Sequence, residues 1–420
     1  MKKTLSCESL HHAVYAAPDV LRHCCKRFFV NGKMKGDVEI CRAQSNEEVS
    51  YKVIKDQKKK LYEDINQGKE TECSGCPWLK EDEWPSLDSL LISHISVENH
   101  SVCNLRCTYC SETYYGGKLP SYDIATLMGD LKKNNALSSN LSLVWGGGES
   151  VLLESFETIF PNIVDEYKPI HNHLFTNATK FSPALERYLR SDQVSITSSI
   201  DAGTNDTFIR VRGKNRLKVT LDNLRKYHAA GGDKVIIKYI LVPENISENE
   251  LKAFTSKIKE FGLTGCSFQI SSNFKSEDIG EEAKSAATTL YKNLQEVGAT
   301  MINFDYHLRP QIGNLSAHED SGKRVKGCDK QKIIVWGAGE YAMRLAEQKS
   351  VMHRIKFFVD NDPEKHGKFI GGISVHPPED ILNERDASVF IASAKFYRDI
   401  YRDLMKMGVA AEKLIGANEL

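Results

Sequence analysis

The segment Cys103-Asn104-Leu105-Arg106-Cys107-Thr108-Tyr109-Cys110 places three cysteines on one short stretch, directly after a predicted strand at 91–98. Clustered cysteines in a chain of 420 residues indicate metal or redox chemistry. Three thiolates on one loop can bind three irons of a [4Fe–4S] cluster, which leaves the fourth iron without a protein ligand. An open coordination position is typical of a catalytic metal site, whereas structural zinc favours CxxC pairs. The spacing therefore predicts a reactive iron–sulfur centre.

Predicted strands and helices alternate on the carboxyl side of this segment. Strands are predicted at 91–98, 141–145, 173–176, 194–201, 234–242, 266–271 and 301–305. Helices are predicted at 122–134, 152–167, 183–191, 219–229, 248–261 and 281–297. This alternation is typical of βαβ units with a parallel sheet. About six units favour an α/β fold with a partial (β/α)6 TIM-like barrel, in which reactive groups gather at the carboxyl ends of the strands.

The cysteines divide the chain, because nine of the eleven precede residue 111. We expect a small cysteine-rich Fe–S domain at 1–88 and the partial barrel at 89–315. A polar stretch at 316–330 is predicted to be a linker, and 331–420 is predicted to be a Rossmann-like domain.

The composition excludes several classes of protein. Lys+Arg and Asp+Glu are both 56, so the chain has no net positive charge that would favour binding to nucleic acid or to a membrane surface. The sequence has no apolar run of the ~20 residues that a membrane span needs. Its first residues lack the apolar segment of a signal peptide. We therefore expect a cytoplasmic protein with no nucleic-acid or membrane partner.

The cysteine triplet resembles the signature of the radical S-adenosylmethionine (radical SAM) enzymes. In that family the open iron chelates the amino and carboxylate groups of SAM. The reduced cluster then cleaves SAM to methionine and a 5′-deoxyadenosyl radical, which takes hydrogen from a substrate. The resemblance implies that Cys103, Cys107 and Cys110 bind the cluster and that Tyr109 lies near the adenine. It also implies an electron donor such as flavodoxin or ferredoxin.

A second resemblance to the same family lies at Gly147-Gly148-Glu149, after a predicted strand. In the family's GGE motif, backbone groups and the glutamate bind the amino group of SAM. Ser150 stands where the family usually has proline. On its own the segment is equally consistent with a tight turn and an acidic residue at a helix N-terminus.

Further polar residues follow the next strands. Ser199 and Asp201 resemble the family's SxD segment near the ribose, and Arg212 resembles the arginine that meets the SAM carboxylate. The alternatives are that Ser199 and Asp201 are capping residues and that Arg212 is a solvated charge. Weaker candidates for the cavity are Thr176, Asn177 and Lys238.

The front segment carries two further cysteine pairs, Cys25 with Cys41 and Cys73 with Cys76. Four thiols suit a second [4Fe–4S] cluster or a zinc ion. The pattern resembles the auxiliary-cluster motif of the SPASM and twitch radical SAM subfamilies, where it follows the barrel. The resemblance implies these four cysteines as ligands, while Cys24 is expected to pack as a small hydrophobe.

The remaining cysteines stand alone in the sequence. We predict no functional role for Cys7, Cys266 and Cys328. For Cys328, which lies in the linker, the alternative is an acid that faces the substrate or a metal ligand.

Near the carboxyl end, Gly337-x-Gly339-x-x-Ala342 joins a predicted strand to a predicted helix, and Asp360 ends the next strand. This context is typical of a nucleotide-binding fingerprint, in which the acid bonds a ribose hydroxyl. The segment resembles the nucleotide-sugar-binding domain that accompanies surface-polysaccharide enzymes. A docking scaffold with no ligand is the alternative.

These observations favour a radical SAM oxidoreductase or related enzyme that acts on a nucleotide-linked sugar or a similar polar metabolite. The outcome of the reaction would be oxidation, epimerisation or rearrangement. One alternative is a radical SAM peptide maturase. Another is a non-catalytic, metal-stapled nucleotide-binding protein.

Overall fold

The computed structural model describes residues 3–110, 117–275, 278–305, 307–312, 332–347, 349–384, 386–393, 397–410 and 413–415. The expected linker at 316–330 and Cys328 lie outside the described residues. The chain forms two compact units, Met1–Ile302 (unit 1) and Asn303–Leu420 (unit 2). No helix among the described residues is long and apolar enough to cross a membrane.

Unit 1 contains most of the regular structure. Its strands, with β14 ending just beyond the unit, are β1 (Thr4–Ser6), β2 (Ala13–Ala17), β3 (Val20–Arg22), β4 (Arg27–Val30), β5 (Lys33–Gly36), β6 (Glu39–Arg42), β7 (Lys80–Asp82), β8 (Ile92–Val97), β9 (Leu137–Trp145), β10 (His171–Phe175), β11 (Ser195–Ser199), β12 (Val235–Leu241), β13 (Ser267–Ser272) and β14 (Met301–Phe304). Its helices are α1 (Glu8–His12), α2 (Tyr51–Asn66), α3 (Ile124–Lys133), α4 (Phe156–Tyr167), α5 (Pro183–Arg190), α6 (Asn205–Arg212), α7 (Leu217–Gly231), α8 (Glu248–Glu260) and α9 (Glu281–Glu296).

One large sheet organises unit 1, in the order β14-β13-β12-β11-β10-β9-β8-β2-β3-β6. Strands β8 to β13 are parallel neighbours in chain order, with helices between them, as the alternating pattern predicted. The predicted boundary at residue 88 falls inside unit 1, because β2 pairs in parallel with β8 and extends the sheet. The protein is thus a mixed α/β protein with a large, mostly parallel sheet.

Local sequence explains these elements. In β12 the residues at alternate positions, from Val235 to Leu241, are buried, as a strand with one face against helices requires. Helix α5 begins where the Ser182 hydroxyl accepts a hydrogen bond from the Leu185 N–H, and Pro183 occupies its first turn. The carboxyl ends of β8 to β11 lead into the segments that carry the predicted site residues.

Unit 2 is built on a second sheet, in the order β17-β18-β16-β15-β19-β20. Its strands are β15 (Ile333–Trp336), β16 (Ile355–Val359), β17 (Phe369–Ile370), β18 (Ile373–His376), β19 (Ser388–Ile391) and β20 (Leu414–Ile415), and its helices are α10 (Glu340–Glu347), α11 (Lys349–Met352) and α12 (Tyr397–Lys406). Ile333 and Val335 join one hydrophobic core, and Ile334 and Trp336 join another. Residues of α10 belong to the first core and residues of α12 to the second, so both faces of β15 are covered.

Candidate functional site

The cysteine loop, residues 103–110, follows β8 and is hydrogen-bonded to the end of α6. The Arg106 N–H donates to the Arg212 carbonyl at 3.0 Å. Helix α6 ends at Gly213, whose φ of 78° and close approach to Arg106 both require glycine: a Cβ there would lie 3.0 Å from the Arg106 carbonyl oxygen. The structure therefore brings the cysteine triplet and Arg212 together.

The loop after β9 packs against the start of the cysteine loop. Gly147 has a φ of 85°, and a Cβ on Gly148 would lie 2.2 Å from the Val102 carbonyl oxygen. The Gly148 N–H donates to the His100 carbonyl at 2.9 Å, and the Glu149 N–H donates to the Val102 carbonyl at 2.7 Å. Both positions require glycine, because a Cβ at either one would collide with the neighbouring backbone.

Glu149 is 1% exposed, and its carboxylate is held from several sides. The Thr176 hydroxyl donates to Oε1 at 2.8 Å, and the Asn177 main-chain N–H donates to Oε2. Burial raises the pKa of Glu149 to about 7, although hydrogen bonds from Asn177, Thr176 and Val151 oppose the rise. A cationic partner at this position would favour the charged carboxylate.

Asn177 connects the end of β10 to the first cysteine. Its side-chain amide donates to the Cys103 sulfur at 3.7 Å and to Asn104 Oδ1 at 2.9 Å. Asn104 in turn donates to the Thr179 hydroxyl at 2.8 Å. Sequence reasoning placed Asn177 and Thr176 only among the weaker candidates, although polar residues at the carboxyl end of a parallel strand were a usable signal.

Tyr109, Asp201 and Arg212 form a second buried group. Arg212 Nη1 lies 2.7 Å from Asp201 Oδ2, with the two side chains 5% and 0% exposed. The Tyr109 hydroxyl donates to the same Asp201 oxygen and accepts from Arg212. Asp201 has a φ of 59°, and its other oxygen accepts from the Ile240 N–H at 2.6 Å. These contacts hold the cysteine loop, the end of β11 and α6 together.

Ser199 is the last residue of β11, and it is paired in register with Lys238 of β12. Its side chain is half-buried at the carboxyl end of the sheet. The Lys238 carbonyl accepts from the Ile200 N–H at 3.0 Å. Both residues thus lie on neighbouring strands, Ser199 at the end of β11 and Lys238 within β12.

A cavity of about 780 Å³ lies beside the loop after β9, and Val102, Trp145 and Ser150 help to line it. His100 also lines this cavity and is 2% exposed. Within the described part of the chain, neither of its ring nitrogens has a hydrogen-bond partner, and burial lowers its pKa to about 4. Sequence reasoning did not single out His100, although it stands three residues before the triplet.

The front cysteines are grouped differently from the expected set. Cys73 is a buried member of an apolar cluster, against which Cys7, Cys24 and Cys76 pack. Burial, with smaller contributions from the nearby Cys24, Cys7 and Cys76, raises the pKa of Cys73 to about 12. The structure therefore joins Cys73 and Cys76 to two cysteines that sequence reasoning had set aside.

Cys25 and Cys41, the other two expected ligands, have different neighbours. Cys25 is exposed and hydrogen-bonds with the Tyr15 hydroxyl. The Cys41 thiol donates to the Glu48 carbonyl at 3.6 Å. Across the ranges that the structure describes, no three His, Cys, Asp or Glu side chains are arranged to hold a single metal ion.

In unit 2, the segment between β15 and α10 has the predicted strand–loop–helix context. Gly337 has a φ of 111°, and a Cβ on Gly339 would meet nothing within 4 Å. Asp360 follows β16, and its Oδ2 accepts from the Ala338 N–H at 2.7 Å and from Lys365 Nζ at 3.0 Å. Asp360 therefore ties this loop to the end of the neighbouring strand.

Two family models match the chain. The model of the radical SAM superfamily matches residues 100–255. The model described as "C2185-like, N-terminal" matches residues 329–415.

Curated relatives match over 38% of the chain. GTP 3′,8-cyclase of Aeromonas hydrophila subsp. hydrophila is 24% identical over 164 residues, which are 38% of this chain and 48% of that protein. GTP 3′,8-cyclase of Mannheimia succiniciproducens is 23% identical over 167 residues, again 38% of this chain and 48% of that protein. The chain thus spans about half the length of the curated relatives it matches.

Solved structures are also similar. Streptococcus suis SuiB bound to its precursor peptide SuiA has a TM-score of 0.41 and 11% identity, over 74% of this chain and 75% of that one. A radical SAM methyltransferase from Sphaerobacter thermophilus has a TM-score of 0.38 and 16% identity, over 52% of this chain and 67% of that one. Radical SAM proteins use a [4Fe–4S] cluster and SAM. Residues 100–255, which include the cysteine triplet and the strand ends around it, are a radical SAM domain.

Proposed function

We propose that this protein is a radical SAM enzyme, in which Cys103, Cys107 and Cys110 bind the [4Fe–4S] cluster that binds SAM. The main support for the proposal is that residues from separate strand ends converge on the cysteine triplet. Asn177 contacts the Cys103 sulfur through its side chain and Glu149 through its main chain. A cluster at the triplet would therefore lie next to the loop after β9.

When bound, the cluster would supply one electron, drawn from a donor such as flavodoxin or ferredoxin, for the cleavage of SAM to methionine and a 5′-deoxyadenosyl radical, which would abstract hydrogen from substrate. The role of the protein in this scheme is to hold SAM and substrate and to keep their reacting atoms close.

Glu149 and the glycines before it are the proposed site for the amino group of SAM. The carboxylate is buried and fixed by Thr176 and Asn177, so an ammonium group arriving there would meet a preorganised acceptor. Because burial alone disfavours the charged carboxylate, the ammonium group would also stabilise its ionised form.

Arg212 is the proposed partner of the SAM carboxylate, with Tyr109 on the adenine side and Ser199 and Asp201 on the ribose side. Arg212 already pairs with Asp201 through Nη1, while its Nε is buried without a partner among the described residues. That free donor is available to a carboxylate. Asp201, two residues after β11, would then position the guanidinium.

The proposed substrate is a nucleotide-linked sugar or a related polar metabolite. Its support is the loop between β15 and α10, where Gly337 and Gly339 leave the backbone accessible to a diphosphate at a helix N-terminus. Asp360 lies against this loop, where a ribose or base could compete for its hydrogen bonds. Within unit 1, Thr176, Asn177 and Lys238 are the proposed polar residues of the reaction cavity.

SAM cleavage tests the enzyme class. Anaerobically reconstituted protein, reduced with dithionite, is expected to convert SAM to methionine and 5′-deoxyadenosine, both measured by mass spectrometry. Cys107→Ala should abolish the product, because an iron loses its thiolate. Cys266→Ala serves as the matched control, since Cys266 is a buried cysteine at the start of β13. A Cys107→Ala protein that makes 5′-deoxyadenosine at the wild-type rate would refute the assignment.

Substrate class is tested by calorimetry of the full chain with UDP-, GDP-, CDP- and TDP-sugars. Binding of one sugar, together with deuterium transfer from that labelled sugar into 5′-deoxyadenosine, would support the proposal. No binding to any member of the panel would remove the reason for preferring a nucleotide sugar over a peptide.

A further inference from the structure

Four cysteines of unit 1 belong to one apolar cluster although three separate segments of the chain carry them. Cys7, Cys24, Cys73 and Cys76, here called the front thiol cluster, pack together in an apolar cluster. Leu10, Val38 and Ile65 surround them, and all four cysteines are free thiols. Four thiols gathered in one small apolar site are the full ligand set of a tetrathiolate metal centre.

Main-chain contacts hold two of these cysteines at defined places. The short strands β1 and β7 pair in antiparallel fashion, with Ser6 opposite Lys80. This pairing brings Cys7, which follows β1, to the segment that contains Cys76. The Cys7 carbonyl accepts from the Leu10 N–H at 3.1 Å. Cys7, which follows β1, and Cys76, which precedes β7, are therefore held near each other.

A tight turn shapes the CxxC pair. The Cys76 N–H donates to the Cys73 carbonyl at 2.9 Å. Gly75 has a φ of 81°, and a Cβ there would lie 2.9 Å from a methyl group of Val30. Any other residue at this position would be strained and would push against Val30, so glycine permits the turn that joins Cys73 to Cys76.

A buried lysine lies beside the front thiol cluster. Lys58 of α2 is 0% exposed, and its Nζ donates to the carbonyls of Leu10 at 2.9 Å and Ala13 at 2.8 Å. Leu10 is itself a member of the apolar cluster. These hydrogen bonds fix α2 against the segment that follows Cys7.

We propose that Cys7, Cys24, Cys73 and Cys76 bind an iron–sulfur cluster, and that Cys25 and Cys41 are not ligands. A [4Fe–4S] cluster takes one thiolate on each of four separate irons, so its ligands stand farther apart than those of a single zinc ion, which lie ~2.3 Å from the metal. Of the four ligands that the resemblance implied, this set keeps Cys73 and Cys76 and replaces the other two with Cys7 and Cys24.

The experiment measures this centre separately from the one at Cys103, Cys107 and Cys110. A full chain with those three cysteines changed to Ala, here called the triplet-free chain, is reconstituted anaerobically with iron and sulfide. It should bind about four irons, against about eight for the wild type, with the visible absorption of a [4Fe–4S] cluster. A triplet-free chain that binds no iron, or that is purified with one zinc instead, would overturn the proposal.

Single serine substitutions in the triplet-free chain then decide between the two ligand sets. Cys7→Ser and Cys24→Ser should each abolish most of the remaining iron. Cys25→Ser and Cys41→Ser are the matched controls and should leave it unchanged. Iron that survives both Cys7→Ser and Cys24→Ser but is lost in Cys25→Ser or Cys41→Ser would assign the other set. Iron bound at the triplet plays no part in this comparison, so a failure of the proposed function cannot be mistaken for a failure of this inference.

A second measurement needs no variant and therefore does not depend on whether a substituted chain folds. The metal-loaded wild-type chain is treated with iodoacetamide, and the modified cysteines are mapped by mass spectrometry. The four thiols of the front thiol cluster should be protected in the loaded chain and should become labelled once the metal is removed. Rapid labelling of Cys7 and Cys24 in the loaded chain would contradict the proposal.

Discussion

The side-chain amide of Asn177 donates a hydrogen bond to the sulfur of Cys103 at 3.7 Å. Cys103 also accepts from the Leu105 N–H at 3.5 Å. Hydrogen bonds to ligating sulfurs withdraw electron density and raise the reduction potential of an iron–sulfur cluster. If Cys103 binds the proposed cluster, Asn177 is placed to raise its reduction potential and to link it to Glu149.

Asn177→Ala should lower the reduction potential of the triplet cluster, on the order of tens of millivolts, because one hydrogen bond to a ligating sulfur is removed. The potential is measured by redox titration followed by electron paramagnetic resonance. Asn140→Ala, at an exposed position of β9, is the control. An unchanged potential in Asn177→Ala would show that the contact does not act on the cluster.

Asp201→Ala should destabilise the protein by about 3–5 kcal/mol, because it leaves the buried guanidinium of Arg212 without its counter-charge. Urea unfolding measures this difference. Glu248→Ala, which breaks the exposed pair between Glu248 and Lys252, should leave the midpoint almost unchanged. Equal effects from the two substitutions would mean that the buried pair contributes no more than a surface pair.

Glu149 should make the SAM-free protein less stable as the pH rises. Burial raises its pKa from 4.5 to about 7, so between these values the folded state holds a proton that the unfolded state has released. The stability that this proton contributes is complete below pH 4.5 and is lost as the pH rises to 7. Glu149→Gln removes the dependence, so its stability relative to wild type should increase by about 3 kcal/mol across that window.

Urea unfolding at several pH values measures this dependence, and Glu244→Gln, at an exposed position, is the control. A constant difference between Glu149→Gln and wild type from pH 5 to pH 8 would contradict the prediction.

Gly148→Ala should reduce SAM cleavage tenfold or more, because a Cβ at this position would lie 2.2 Å from the Val102 carbonyl oxygen. The backbone would have to shift, and the loop that carries Glu149 would move with it. Gly129→Ala is the matched control: it lies in α3 with nothing within 4 Å, and alanine should be neutral or slightly stabilising there. Formation of 5′-deoxyadenosine at the wild-type rate in Gly148→Ala would count against this role for the loop.

Gly339→Glu should weaken nucleotide-sugar binding at least tenfold, because it places a carboxylate where a diphosphate would approach α10. The fold should tolerate the change, since a side chain at this position would meet nothing within 4 Å. Gly129→Glu makes the same change at an open position of unit 1 and is the control. Calorimetry with the sugar selected from the panel is the measurement, and equal affinity in Gly339→Glu and wild type would exclude this loop as the binding site.

Local sequence determined the cysteine triplet and the elements around it. Three thiols within a single loop are close in any fold, so the pattern of Cys103, Cys107 and Cys110 could be interpreted without tertiary information. The alternation of strands and helices predicted the parallel strands from β8 to β13, because each strand and helix carries its own periodicity. The positions of Gly147 to Glu149, Asp201 and Arg212 at strand and helix ends followed from the same pattern.

Only the tertiary structure decided which distant residues meet. Sequence spacing favoured Cys25 and Cys41, whereas the pairing of β1 with β7 and the packing around Cys73 gather Cys7 and Cys24. The pairing of Arg212 with Asp201 and the contact of Asn177 with Cys103 likewise join separate elements. Hydrophobic periodicity specifies which face of an element is buried, but it does not specify which other element covers that face. Contacts between residues far apart in the chain are fixed only when the packed elements exclude the alternatives.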